Sequence, residues 1–180
     1  MEHGIFGDER VMQFFITVKA VAEQCFQQLY AISHENQAAQ DVASDSFKVG
    51  LHYIEQWNDS IVEQEATTAI SKYPDIVGGY KHALMQYVKH VHRDKRAQVK
   101  LVVPPFKSFL HRFLARAARS LRTEAHGAGG GGAAGWVRQA SFAEKDVFYR
   151  EALRQTIARD CLPNNLTLQA KPAAAGGAAA

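Results

Sequence analysis

The chain has 180 residues, 47% of them hydrophobic, with 10 Phe, 6 Tyr and 2 Trp, which suits one globular domain with tails and excludes a largely disordered protein. Its net charge of +3 hides a sorted distribution: residues 1–80 carry 4 Lys and Arg against 12 Asp and Glu, residues 81–123 carry 11 against 1, and residues 124–180 carry 6 against 5. No apolar run reaches the roughly 18 residues a bilayer span needs, so no transmembrane segment is expected.

In chain order, a first helix is predicted over residues 8–33, with Asp8 as its cap. Val11, Phe14, Phe15, Val18, Val21, Ala22, Cys25, Phe26 and Leu29 give it a wide apolar stripe. Residues 34–43 read as a polar loop, and a second helix starts after Ser44 or Asp45, burying Phe47, Leu51, Ile54 and Trp57. The chain turns near Asn58. Ser60 and Glu63 have capping-box spacing for a third helix whose core positions are Ile61, Val62, Ala66, Ala69, Ile70 and Tyr73. Pro74 stops it and starts a fourth over residues 75–92, with Ile76, Tyr80, Ala83, Leu84, Tyr87, Val88 and Val91 inward.

Residues 99–103 read as an extended connection, because a lone strand cannot form a sheet. Pro104 and Pro105 open a fifth helix reaching Leu121, with Phe106, Phe109, Leu110, Phe113, Leu114, Ala117 and Leu121 on a narrow apolar stripe. Residues 125–135, rich in Gly and Ala, read as a flexible linker. Ser141 and Glu144 form another capping box, and Phe142, Val147, Phe148, Ala152, Leu153 and Ile157 are the core positions of a sixth helix that Pro163 ends. The expected fold is all-α, an irregular bundle of about six helices. Its helical domain spans 1–124, the linker 125–135, a C-terminal helix packing on the same domain 136–163, and a disordered tail 164–180.

The opening residues lack a basic stretch followed by an apolar one, so no secretory leader is expected. The two cysteines, Cys25 and Cys161, read as buried thiols of a reducing compartment, with a disulfide between them as the alternative.

Chemistry-bearing patterns are absent from the sequence. There is no His-Glu-x-x-His or Cys-x-x-Cys, no Gly-x-x-x-x-Gly-Lys-Ser/Thr and no Gly-x-Ser-x-Gly. Glu55, Glu63 and Glu65 read as a solvated acidic face without a partner base. No enzyme, metal or cofactor is expected.

The basic segment is the candidate site. Arg112, Arg116, Arg119 and Arg122 fall opposite the apolar stripe of the fifth helix, with Lys100 and Lys107, and Lys95 and Arg96, nearby. Arginine favours bidentate pairing with carboxylate or phosphate. A like-charged cluster needs a partner: the chain's own acidic half, an acidic protein, or phosphates. The aromatics are not interleaved with the arginines as a base-stacking surface would require, and no recognition helix is legible. Nonspecific nucleic-acid contact and acidic-protein contact stay equally open, beside a self-paired helix face. Phe106 and Phe142, and also Phe6 and Phe14, are candidates to face a partner.

Three stretches, residues 71–76 (Ser-Lys-Tyr-Pro-Asp-Ile), 103–113 (Val-Pro-Pro-Phe-Lys-Ser-Phe-Leu-His-Arg-Phe) and 142–150 (Phe-Ala-Glu-Lys-Asp-Val-Phe-Tyr-Arg), with Ala158, Arg159, Asp160 and Cys161, carry a resemblance. They are similar to a small helical protein of large icosahedral eukaryotic DNA viruses of the iridovirus and phycodnavirus type. The resemblance covers roughly residues 45–162. It implies a minor capsid component made in the host cytoplasm and carried in the virion. Such a component would cement neighbouring capsomers or link shell to inner membrane, with other capsid proteins, the major capsid protein included, as partners in an oligomeric assembly. On that reading the arginine and phenylalanine faces bind neighbours, and reversing Arg112, Arg116 and Arg119 to Glu leaves the isolated fold largely intact while abolishing assembly. The alternatives are a basic packaging protein on nucleic acid and an adaptor for an acidic protein.

Overall fold

The computed structural model describes residues 4–35, 40–91, 98–123, 132–162 and 166–169. After a single 3-10 turn at Ile5–Gly7, α1 runs over Glu9–Glu35. The first amides of a helix lack intrahelical acceptors, and here Asp8 Oδ1 accepts from Val11 N at 3.0 Å. The same oxygen meets His82 Nε2 at 3.0 Å, which ties the start of α1 to α4 (Ile76–Val91). Two glycines let α1 approach its neighbours. A Cβ on Gly79 would stand 3.0 Å from Phe14 Cβ, and one on Gly50 would stand 2.5 Å from Leu29 Cδ1.

Helix α2 spans Gln40–Glu55 and packs mainly on α1 and on α5 (Phe106–Thr123). It begins earlier than the sequence suggested, so part of the expected 34–43 loop is helical. Helix α3 (Asp59–Lys72) is capped by Asn58, whose Oδ1 accepts from Ile61 N at 3.0 Å. The expected Ser60 box is not the cap, because Asn58, at the turn, reaches the orphan amide first. Ile61 and Ile70 are exposed on α3, as is Val91 at the end of α4. Val62, Ala66 and Ala69 alone are the buried side of α3.

Helix α5 supplies the centre of the core. Phe106, Phe109, Leu110, Phe113, Leu114, Ala117, Ala118 and Leu121 are all buried. The Phe109 ring lies 4.5 Å from Tyr80 and 5.8 Å from Phe14, so α1, α4 and α5 meet through aromatic faces. Tyr80 donates its hydroxyl proton to Pro104 O at 3.0 Å and fixes the entry into α5.

The expected linker at 125–135 ends early. Helix α6 occupies Gly132–Gln139, and Ala133, Ala134, Trp136 and Val137 bury against the core. Gly132 takes φ +56°, and small residues let this short helix sit close to α2. Residues 124–131 lie outside the described residues. Helix α7 (Phe142–Gln155) has the complete capping box: Glu144 N donates to Ser141 Oγ at 3.2 Å and Ser141 N donates to Glu144 Oε2 at 2.7 Å. A π-helical turn, Thr156–Cys161, continues it.

Two expectations about α7 and its surroundings are corrected. Phe142 and Val147 are not core residues: they are 79% and 70% exposed. Phe142 is the first helical residue, where α7 has not yet reached the core, and Val147 lies about 200° around the helix from buried Tyr149. The disordered tail is also interrupted. Gln98–Leu101 forms β1 and Leu166–Gln169 forms β2, an antiparallel ribbon pairing Val99 with Leu168 and Leu101 with Leu166. Its polar residues pair with each other too, Gln98 with Gln169 and Lys100 with Thr167. Residues 170–180 lie outside the described residues. The fold is all-α in class, an irregular bundle of seven α-helices among the described residues, with this small ribbon added. None of these helices is long and apolar enough to cross a membrane.

Candidate functional site

Along α5 the residues 112, 116, 119 and 122 recur at steps of four, three and three, so they form one row on the helix surface. The row lies between two acidic flanks of the same chain. On one flank Arg119 clasps Glu55 with Nε to Oε1 at 3.1 Å and Nη2 to Oε2 at 3.2 Å. This is the bidentate geometry that arginine favours. Arg122 Nη2 adds a contact to Glu55 Oε1 at 3.3 Å, and its Nη1 donates to His52 Nδ1. Lys107 Nζ reaches Glu63 Oε2 at 2.9 Å and Asp59 Oδ2 at 3.9 Å. On the other flank Arg116 donates to Asp160 Oδ2 at 2.6 Å and to Gln155 Oε1 at 3.3 Å, while Arg112 donates to the Asp160 carbonyl.

Every candidate cation of α5 therefore has a partner within the chain. Carboxylates of the acidic first half and of the π-helical turn pair Lys107, Arg116, Arg119 and Arg122, which favours the self-paired reading for α5 among those the sequence left open. Glu55 is thus not part of a solvated face, whereas Glu63 stays exposed although it pairs with Lys107. The Glu55 side chain is only 16% exposed. The Arg119 hydrogen bond, then the charges of Arg119 and Arg122, hold its carboxyl below the ordinary 4.5. Lys107 is shifted up, first by its hydrogen bond to Glu63. Arg116 Nε is buried with no partner among the described residues. His111, also on α5, donates Nε2–H to Ile54 O at 2.8 Å and stacks on Trp57, so it too is engaged.

Of the remaining candidates, Phe106 is buried against Tyr80 and Phe109 and is not available to a partner. Phe14 is likewise buried, and Phe6 packs edge-on to Phe15. Lys100 sits in β1 opposite Thr167, away from the α5 row in sequence. Lys95 and Arg96 lie outside the described residues. Phe142 is the one candidate ring that stays largely open, with Lys19 Nζ 4.0 Å from its centroid.

Sequence reasoning missed two features. Lys19 is a buried lysine on the apolar stripe of α1, paired with Asp146 Oδ1 at 3.5 Å. Asp146 also accepts from Arg150 Nη2 at 2.8 Å, and the Arg150 guanidinium lies over the rings of Phe6 and Phe15. The legible signal was a lysine between Phe15, Val18 and Ala22. The second feature is a row on α2: Val42, Val49 and Tyr53 occur at i, i+7 and i+11 and are each at least half exposed. Starting α2 after residue 44 hid Val42 in a loop.

Burial pushes the Cys25 thiol up to about 12 and the Cys161 thiol up to about 11, so both stay protonated and weakly nucleophilic at neutral pH. Among the described residues no group of His, Cys, Asp and Glu is placed to hold a metal ion. The arrangement can pair charges and present apolar side chains. No protein-family model, curated protein or solved structure matches this chain.

Proposed function

We propose that this chain is a non-enzymatic structural protein that docks on neighbouring proteins of a virion shell, as the minor capsid component its motifs resemble. The observation that carries the docking role is the uncovered row Val42, Val49 and Tyr53 on α2. Apolar side chains aligned along one helix face, with their opposite face already in the core, suit insertion into a groove of a partner. The internal pairing of Lys107, Arg112, Arg116, Arg119 and Arg122 argues for moving the contact surface away from α5. Phe142 and Val147 offer a second apolar contact on α7. The capsid assignment itself rests on the resemblance alone. Many residues of the stretches that carry it build core and caps: Ile76, Phe106, Phe109, Phe113, Tyr149 and Cys161 are buried. That supports reading those stretches as marks of a fold.

The test is the particle. A tagged chain should co-sediment with purified virions, and Val49→Asp with Tyr53→Asp should lose that association while keeping the wild-type melting temperature. A chain absent from purified particles, or a double variant that still joins them, would overturn this reading in its capsid or its α2 part respectively.

A further inference from the structure

Helix α2 turns Ala43, Phe47, Leu51 and Ile54 into the core. Val42, Val49 and Tyr53, each at least half exposed, fall on the opposite side, within about 40° of one another at one hundred degrees per residue. Val42 and Tyr53 stand about 16 Å apart along the axis at 1.5 Å per residue. A straight row of side chains of this length is complementary to a second helix laid beside it.

One edge of the row carries opposite charges in order, Asp45 first and Lys48 after it. Both are exposed, and neither side chain has an ion pair or a hydrogen bond among the described residues. This separates them from Glu55 and Lys107, whose charges are used within the chain. Two copies of α2 laid parallel would set Asp45 against Asp45 and Lys48 against Lys48. Turned antiparallel about a two-fold axis, each Asp45 comes beside Lys48 of the other copy, so the match is made twice. The antiparallel arrangement also sets the helix dipoles head to tail. In the same register Val42 faces Tyr53 of the second copy, and Val49 faces its Ser46, whose small side chain lets the backbones approach.

We propose that the partner of the α2 row is a second copy of this chain, bound antiparallel through Val42, Val49 and Tyr53 with reciprocal Asp45–Lys48 pairs. The inference rests on reading α2 as the contact surface and names what that surface meets. Three apolar side chains per copy make a contact smaller than that of a permanent dimer, so the association is reversible, with Kd on the order of 100 µM.

The measurement is sedimentation equilibrium of the full chain at concentrations from about 10 µM to about 1 mM, where a monomer–dimer equilibrium is expected. Val49→Asp, at the centre of the row, should leave a monomer with the wild-type melting temperature. Asp45→Lys and Lys48→Asp should each weaken the dimer about fivefold or more, since each turns two attractive pairs into repulsive ones. Both exchanges together should restore it, because the pairs re-form with their signs reversed. A chain that stays monomeric over that range, a dimer that survives Val49→Asp, or a double exchange no tighter than the single ones overturns the proposal. The result is separable from that of the particle experiment. A monomeric chain that still joins virions through α2 keeps the docking surface and removes the second copy, whereas a dimer absent from virions removes the capsid role and keeps the second copy.

Discussion

Glu55 accepts from Arg119 through both oxygens and from Arg122 through one, so a single carboxylate fastens the end of α2 to the last turns of α5. Glu55→Gln keeps the shape but halves the acceptor capacity and leaves two guanidiniums unmatched. Because Arg119 is largely exposed, the cost should be about 1–2 kcal/mol, read as a lower urea midpoint at neutral pH. The pH dependence has a definite sign. The folded carboxyl titrates below the ordinary 4.5, so its stabilisation is present above that value and is lost as pH falls through the folded pKa. The variant should therefore show a flatter acid limb than the wild type, and an identical acid limb would remove Glu55 from this role. Glu65 has the opposite sign. Its folded carboxyl is raised by burial, so stability is fully present below 4.5 and declines as pH rises through the folded value, with Lys72 engaged by Gln24 and Cys25 uncharged beside it. Glu65→Gln should abolish that decline, giving a melting temperature at neutral pH equal to or above that of the wild type.

Helix α7 shows what local chemistry can and cannot announce. Its capping box was legible because the four residues 141–144 contain both the cap and its reciprocal acceptor. Ser141→Ala removes one satisfied amide and should cost about 1 kcal/mol, with faster hydrogen exchange confined to the first turn of α7. Exchange rising evenly along α7 would assign Ser141 a packing role instead. The exposure of Phe142 and Val147 was not legible. A capping box fixes where a helix starts, while the direction from which the core approaches it comes from α5 and α1. The long stripes of α1 and α5 were legible because many apolar positions repeat one period, and almost all of them are buried. The weak stripe of α3, with alanines as its buried residues, let Ile61 and Ile70 pass for core. The β1–β2 ribbon was illegible for a different reason. Its strands are four residues each and join distant parts of the chain, so neither makes a sheet signal alone.

Over the whole molecule, the charge sorting was plain in the sequence, but its destination was not. Periodicity places the arginines on the outer side of α5 without saying that Glu55, Glu63 and Asp160 stand beside them. That knowledge is tertiary, and it reverses one expectation. Changing Arg112, Arg116 and Arg119 together to Glu should not leave the isolated fold intact. It would bring new carboxylates against Glu55 and Asp160, and the loss should exceed about 3 kcal/mol, seen as a broad drop in melting temperature. The same pairing bears on nucleic acid. Binding a phosphate through Arg116, Arg119 or Arg122 requires the arginine to leave a carboxylate already in place, so the gain from counterion release is offset by a broken internal pair. Six free phosphate contacts would give a slope of log affinity against log salt near about −5. Titrating the purified chain with mixed-sequence duplex DNA at several salt concentrations should instead give weak binding with a slope of about −2 or shallower. A slope near −5 with micromolar affinity would mean that the α5 arginines exchange their carboxylates for phosphates, and the packaging role would then displace the structural one. Weak binding with a shallow slope leaves the cations of α5 as the strut that holds α2, α3 and the π-helical turn against α5.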